Sequence, residues 1–377
     1  MERFDEVVTD PDVRLADVQA HLEHASATET FRGLYRVAAT GGTTGRRGIF
    51  MADPREWRTI LASYSRAYDW AGVALGLTNR IRMAVVSSRN PSHQSAIVGA
   101  TIASRLIPTL RLDATQPMAE IVRELNTFQP GALVGYASVL RILAEEQHEG
   151  RLAIRPRGVF SASEVLTDDT RERVHSAFGV APTNVYAATE TAGIASECRS
   201  GRMHRYEDLV IAEIVNEQNR PVPPGENGAK LLVSVLFSRT QPLIRYEISD
   251  RVASSTASCP DGLPYGLLAG IEGREEEVLT LAGASVHPNV FHGAIEALPI
   301  AGWQVIDEGG RLRVLLAGAD GLDPSVARSK VVAALERVGA HGVSVKVELV
   351  DAIPRTHLGK APLVQRDLPA PNGIAVR

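Results

Sequence analysis

The stretch Thr40 to Gly48 reads TGGTTGRRG, Gly and Thr interrupted by two arginines. Backbone N–H groups of such a turn can cradle phosphate oxygens, and the Thr hydroxyls add donors. No Gly-Lys-Ser/Thr closes it, so it is not a Walker A loop. A flexible surface turn would have the same composition. A second constellation is Cys198 in ASECRSGRMH with His204, and Cys259 in SCPDG with Asp261. Two thiols, an imidazole and a carboxylate form an acceptable donor set for tetrahedral zinc. The alternative is two buried thiols in a reducing compartment, since two cysteines make no disulfide framework. Lys360 in PRTHLGK is by itself a surface lysine beside Gly, and Glu275 to Glu277 read as a solvated acidic run.

The elements that must position these residues alternate. LYRVAAT runs as a strand into the Gly/Thr stretch. DPREWRTILASYSRAYDWAGVALG reads as an amphipathic helix and IRMAVVSS as a short apolar strand. Helices QSAIVGATIAS, PMAEIVRELNTF and YASVLRILAEEQHEG follow, the last two bracketing the strand ALVG. GVFSASE, the helix LTDDTRERVHSAFG and the strand TNVYAATET complete the series. Helices of this length between apolar strands predict α/β layers with parallel strands, in which ligands sit beyond the carboxyl ends of the strands. From about residue 206 the texture becomes β-rich, with antiparallel strands around RPVPPGENG and PLIRYEISDRV. After the acidic passage IEGREEEVLTLAG, an α+β unit of about 100 residues follows. The expected organisation is therefore an α/β protein. Residues 1–274 form a large domain of parallel-type layers with a β-rich subdomain, and 275–377 a small mobile α+β domain.

The 377 residues include 44% hydrophobic, enough for a sizeable core, and a formal net charge of −4. There is no basic excess that would suggest nucleic acid or an anionic membrane. The polar, acidic start MERFDEVVTDPDVRLADVQ has no signal-peptide pattern, and no apolar run approaches the roughly 20 residues needed to cross a bilayer. A cytoplasmic location is the expectation.

Five stretches in order, TGGTTGRRG, NVYAATET, PLIRYEISD, EGREEE and PRTHLGK, resemble the adenylate-forming superfamily of acyl-CoA synthetases and adenylation domains. LVGYASVLRILAEE, SASEVL, ASEC, MHRYED and PVPPGENG are similar to its phenylacetate-CoA ligase-like subgroup. The resemblance covers the chain from about residue 36 onward. It implies that Thr40, Gly41, Gly42, Thr43, Thr44 and Gly45 hold the β- and γ-phosphates of ATP. Arg47 and Gly48 stand where the family usually has Pro and Lys. Tyr186 would lie against adenine, Thr189 would contact phosphate, and Glu190 would bind Mg²⁺. Asp250 would accept hydrogen bonds from the ribose hydroxyls, with Arg274 supporting the same sugar. Lys360 would meet the acyl carboxylate and the α-phosphate. Glu276 takes the hinge position, usually Asp. The acid pocket would draw on His93, Tyr136, Ala137, Ser161 and Ser163, with Ser163 where relatives often have Gly. Cys198, His204, Cys259 and Asp261 match a Cys…His…Cys-x-Cys arrangement of some relatives, with Asp261 replacing the last Cys.

The implied reaction activates a carboxylic acid, aryl or aryl-alkenoic, with ATP to an acyl-adenylate and then transfers it to coenzyme A. Transfer to an amine giving an amide, or activation of nitrite in a biosynthetic pathway, are the alternatives. A non-catalytic nucleotide-binding regulator is the alternative of another class. ATP and Mg²⁺, coenzyme A as co-substrate, a structural Zn²⁺ and a homodimer are the implied cofactors and partners, with no nucleic acid and no membrane.

Overall fold

Asp53 begins the first long helix with a reciprocal cap. Its side chain accepts from the Arg55 and Glu56 N–H groups, while the Glu56 carboxylate accepts from the Asp53 N–H at 2.6 Å. Pro54 fills the first helical position, where no N–H is needed. The same Glu56 is buried and also accepts from the Thr240 N–H at 2.7 Å and the Thr240 hydroxyl at 2.6 Å. One carboxylate thus starts a helix and ties it to a loop more than 180 residues away.

The structure is a computed structural model that describes residues 3–40, 48–73, 80–104, 107–274, 278–286, 288–295, 298–319, 321–356 and 360–366. The chain divides into two compact units, Met1–Gly273 with 357–360, and Arg274–Thr356 with 361–377.

The larger unit opens with α1 (Phe4–Val7) and α2 (Leu15–His24), then the antiparallel hairpin β1 (Arg36–Ala39) and β2 (Ile49–Ala52), whose connection carries the Gly/Thr stretch. Next come α3 (Pro54–Trp70), β3 (Met83–Ser87), α4 (Gln94–Ile102), β4 (Thr109–Asp113), α5 (Met118–Phe128), β5 (Ala132–Gly135) and α6 (Ala137–His148). β6 (Gly158–Ala162), α7 (Asp168–Phe178) and β7 (Pro182–Ala188) close the alternating part. β8 (Ala192–Glu197), β9 (Met203–Arg205), β10 (Val210–Val215), β11 (Lys230–Val235), β12 (Tyr246–Ile248), β13 (Asp250–Ser255) and β14 (Leu267–Arg274) follow.

The central sheet runs β13-β14-β9-β8-β7-β6-β5-β3-β4. From β4 to β7 the pairings are parallel, as the helix–strand alternation predicts. Beyond β7 the β8 and β9 pairings turn antiparallel. The reason is length: the short turn from β7 to β8 cannot hold the crossover that a parallel neighbour requires. Strands β10, β11 and β12 form a separate antiparallel sheet. Ile121, Leu125, Leu133, Leu140, Leu143 and Val159 are fully buried between the parallel strands and helices α5, α6 and α7. Apolar runs such as β3's MAVVS are what a sheet covered on both faces demands.

The smaller unit holds the hairpin β15 (Leu279–Leu281) and β16 (Ala284–Val286), α8 (Asn289–Ile295), β17 (Gly302–Asp307), β18 (Arg311–Ala317), α9 (Pro324–Arg337), β19 (Ser344–Val350) and β20 (Val364–Arg366). Its four-stranded sheet is ordered β19-β18-β17-β20. Ala282 and Gly283 join the hairpin with φ of 48° and 81°, the two positive values a type I′ turn requires. Phe291, Ile295, Trp303, Val314 and Val331 lie in its core. Among the described residues no helix is long and apolar enough to cross a membrane.

Candidate nucleotide and acid site

Parallel pairing aligns the carboxyl ends of β3, β5, β6 and β7, since Val86 pairs with Gly135, Gly135 with Ser161, and Ala162 with Val185. The segments leaving those ends carry His93, Tyr136 with Ala137, Ser163, and Thr189 with Glu190. Residues spread over about a hundred positions therefore converge on one sheet edge, where ligands of open α/β sheets bind.

Tyr186 lies on β7 and Asp250 opens β13, and both are buried. The Tyr186 phenol donates to Asp250 Oδ2 at 2.6 Å. A phenol held by a carboxylate is a short, charge-assisted bond. It joins the two residues expected to bracket adenine and ribose. Arg274 ends β14, and its side chain lies outside what is described.

Of the Gly/Thr stretch, Thr40 and Gly48 are described, while Gly41, Gly42, Thr43, Thr44 and Gly45 lie outside the described residues, as does Glu276. The base of the loop is closed by two bonds. Thr40 N–H donates to the Gly48 carbonyl at 2.9 Å, and Gly48 N–H donates to the Thr40 hydroxyl at 2.8 Å. A Cβ at position 48 would lie 2.8 Å from the Phe50 ring and 3.3 Å from the Thr40 methyl. Gly48 is thus needed where the strands pinch together.

The turn from β7 to β8 presents Thr189 and Glu190. The β7–β8 register shifts between Tyr186 and Ala187, and Ala192 takes φ +61°. The Gln94 amide donates to the Thr189 carbonyl at 3.1 Å and accepts from the Tyr64 phenol at 2.7 Å. Ser63 Oγ accepts from the Gly193 N–H at 3.2 Å. Glu190 borders a cavity with Arg36, Phe50, Trp57, Gln94 and Phe237. Burial first, then the nearby Glu190 charge, raises the Tyr246 phenol above its ordinary range. The Tyr246 ring meets Phe50 edge to face at 6.0 Å.

On the acid side, His93 caps α4 through its backbone, and Tyr136 occupies the same position on α6. The buried Tyr136 hydroxyl accepts from the Ser88 N–H at 2.8 Å, and burial pushes its pKa up to about 12. Lys360 groups by its contacts with the larger unit, although the sequence reading assigned it to the small domain. Its Nζ stands 5.8 Å from the centroid of the Tyr136 ring, within the range of a cation–π contact. Ala137 is buried in the first turn of α6. Ser161 is fully buried on β6, its hydroxyl without a hydrogen-bond partner among the described residues. Ser163 is exposed and takes φ +68°, a left-handed conformation that favours glycine, so the side chain present there is strained.

The thiols of Cys198 and Cys259 lie 3.5 Å apart, and with His204 their ligand atoms all fall within 4.8 Å of one another. His204 Nδ1 faces the Tyr265 carbonyl at 3.2 Å. A carbonyl only accepts, so Nδ1 carries the proton and Nε2 is left with its lone pair. That Nε2 is buried without a hydrogen-bond partner among the described residues, as an atom waiting for a metal would be. Burial, with an Asp261 hydrogen bond next in weight, pushes the Cys198 thiol up to about 12. Asp261 lies outside the three-residue cluster. Hydrogen bonds with Cys198 first, then Ser200, hold its carboxyl below its ordinary range. Its carboxylate accepts from the Ser200 hydroxyl at 2.7 Å and N–H at 3.1 Å.

Gln94, Tyr64, Ser63 and Ser88 went unread in the sequence. Each acts through a hydrogen bond to a distant segment and carries no local signature.

No family model matches the chain. It is 24% identical over 306 residues to the phenylacetate-coenzyme A ligase of Thermus thermophilus, covering 77% of this chain and 65% of that protein. It is 25% identical over 218 residues to the protein CapK of Staphylococcus aureus, covering 56% of this chain and 46% of that protein. The chain thus spans less than two thirds of the length of the curated relatives it matches. Among solved structures, 2-hydroxyisobutyryl-CoA ligase with a bound acyl-adenylate superposes with a TM-score of 0.71 at 23% identity, covering 97% of this chain and 81% of that one. The chain thus shares the fold of 2-hydroxyisobutyryl-CoA ligase and is similar in sequence to a phenylacetate-coenzyme A ligase.

Proposed function

We propose that the protein activates a carboxylic acid with ATP and passes the acyl group to coenzyme A. The observation that carries this reading is the convergence at one sheet edge of the Tyr186–Asp250 pair, the Thr189–Glu190 turn and Tyr136 with Lys360.

Asp250 and Tyr186 bind ribose and adenine, and the loop from Thr40 to Gly48 holds the β- and γ-phosphates through backbone N–H groups. The substrate carboxylate oxygen attacks the α-phosphorus. The bond from that phosphorus to its bridging oxygen breaks, and pyrophosphate departs. Lys360 stabilises the charge that builds on the α-phosphate and the carboxylate. A carboxylate beside a polyphosphate suits Mg²⁺, and Glu190 would hold the ion, which supplies charge neutralisation on the leaving group. In the second step the thiolate of coenzyme A attacks the acyl carbonyl and AMP leaves. The similarity to a phenylacetate-coenzyme A ligase supports an aryl acid as substrate.

Cys198, His204 and Cys259 are a donor set for structural zinc, which would anchor the loop that follows β8. A homodimer and a cytoplasmic location accompany this reading, and sedimentation tests the first of these.

The test is ATP–pyrophosphate exchange across a panel of aryl and aliphatic acids, followed by product analysis with coenzyme A or an amine. Exchange with at least one acid is expected. No exchange with any acid overturns the reading, and an amide in place of a thioester overturns its second step.

A further inference from the structure

Gln94 is the first residue of α4 and is 6% exposed. A buried primary amide needs partners for both of its ends. The Thr189 carbonyl can only accept, so the NH₂ faces it at 3.1 Å, and the amide oxygen accepts from the Tyr64 phenol at 2.7 Å. Burial pushes the Tyr64 phenol well above its ordinary range, so it stays protonated and donates. The chain of bonds runs from α3 through α4 to the backbone of the residue immediately before Glu190.

The turn it grips is held from outside as well as from within. It follows the register shift at Tyr186 and Ala187, and Ala192 sits at φ +61°. Within it the Thr191 N–H reaches the Ala188 carbonyl at 3.3 Å, a long bond. At the other end of the turn Ser63, the neighbour of Tyr64 on α3, accepts from the Gly193 N–H at 3.2 Å. Ser63 is itself fixed by donating to the Ile60 carbonyl at 2.7 Å. Helix α3 thus ties both ends of the turn, through Gln94 at Thr189 and directly at Gly193, and Glu190 lies between the two ties. An apolar side chain at position 94 would fill the space without orienting a carbonyl.

We propose that Gln94 is a positioning residue for adenylate formation: by clamping the Thr189 carbonyl it aims the Glu190 carboxylate at the nucleotide-bound cation. The inference rests on the reading of Glu190 as the cation ligand. Partners of this kind, one step removed from the metal, change affinity by about 10–100-fold when removed.

The experiment measures Mn²⁺ affinity in the presence of a non-hydrolysable ATP analogue, and the Mg²⁺ requirement of pyrophosphate exchange. It compares the unsubstituted protein with Gln94→Met, which keeps length and bulk, and with Tyr64→Phe, which removes one hydroxyl. For Gln94→Met both cation constants are expected to weaken about tenfold or more. Thioester formation from supplied acyl-adenylate, which needs no pyrophosphate departure, should be unchanged. Tyr64→Phe is expected to shift the same constants in the same direction by about threefold, the loss of one supporting bond. The split between half-reactions is a readout that general loss of structure would not produce. Unchanged cation constants in Gln94→Met, or equal losses in both half-reactions, overturn the proposal. Failure of the unsubstituted protein to bind Mn²⁺ with the analogue overturns the assignment of Glu190, and this inference with it. If the unsubstituted protein binds Mn²⁺ and the variants bind it equally well, Gln94 alone is misassigned.

Discussion

Tyr186 donates its phenolic proton to Asp250 at 2.6 Å across 64 residues of sequence. The bond ties β7 to the first residue of β13. Asp250→Ala is expected to weaken ATP binding by roughly 1.5–3 kcal/mol, the worth of a hydrogen bond to a charged group. Tyr186→Phe should cost less, about 1 kcal/mol, because the carboxylate remains. Calorimetric titration with ATP checks both, and equal affinities in Asp250→Ala and the unsubstituted protein would remove Asp250 from the site.

Lys360 stands over Tyr136 with Nζ 5.8 Å from the ring centroid. Lys360→Ala is expected to abolish pyrophosphate exchange while leaving ATP binding within about 1 kcal/mol, since the cation acts on charge that develops during the reaction. Undiminished exchange in that variant would sink the assigned role.

The Tyr136 phenol titrates near 12, above its ordinary value of 10.0, chiefly because burial disfavours the phenolate. The folded state holds this proton more tightly than the unfolded chain does. Its contribution to stability is therefore complete below pH 10 and is lost as pH rises from 10 toward 12. Tyr136→Phe should flatten that part of the stability curve, which denaturant melts at stepped alkaline pH would reveal. An unchanged alkaline slope would assign the loss to other groups.

Gly48 leaves 2.8 Å between an added Cβ and the Phe50 ring. Gly48→Ala should push Phe50 against Tyr246 and cost about 1–3 kcal/mol of stability, the usual range for overpacking. Thermal unfolding measures it. A neutral result would mean that Phe50 swings aside freely.

Zinc at Cys198, His204 and Cys259 predicts one equivalent of metal in protein prepared without chelators. Cys198→Ser should lower that content and the melting temperature together. Absence of stoichiometric zinc in the unsubstituted protein would remove the site.

Composition and period alone settled much of this protein. Apolar runs such as MAVVS and ALVG between amphipathic helices specify parallel layers, because burial on both faces is a local property of each strand. The same reading put the Gly/Thr stretch after a strand, while nucleotide chemistry was implied only by the resemblance of five ordered motifs to the adenylate-forming enzymes. Tertiary structure decided what depends on distant partners. It turned the sheet antiparallel beyond β7, where the connection is too short to cross over. It joined Tyr186 to Asp250, and it gathered Cys198, Cys259 and His204 while leaving Asp261 on Ser200. It also recruited Gln94 and Tyr64, whose side chains resemble any helical Gln and Tyr until the fold brings them against Thr189. Hydrophobic period is written within a few turns of chain. A directed hydrogen bond between segments a hundred residues apart exists only once the backbone has placed both ends.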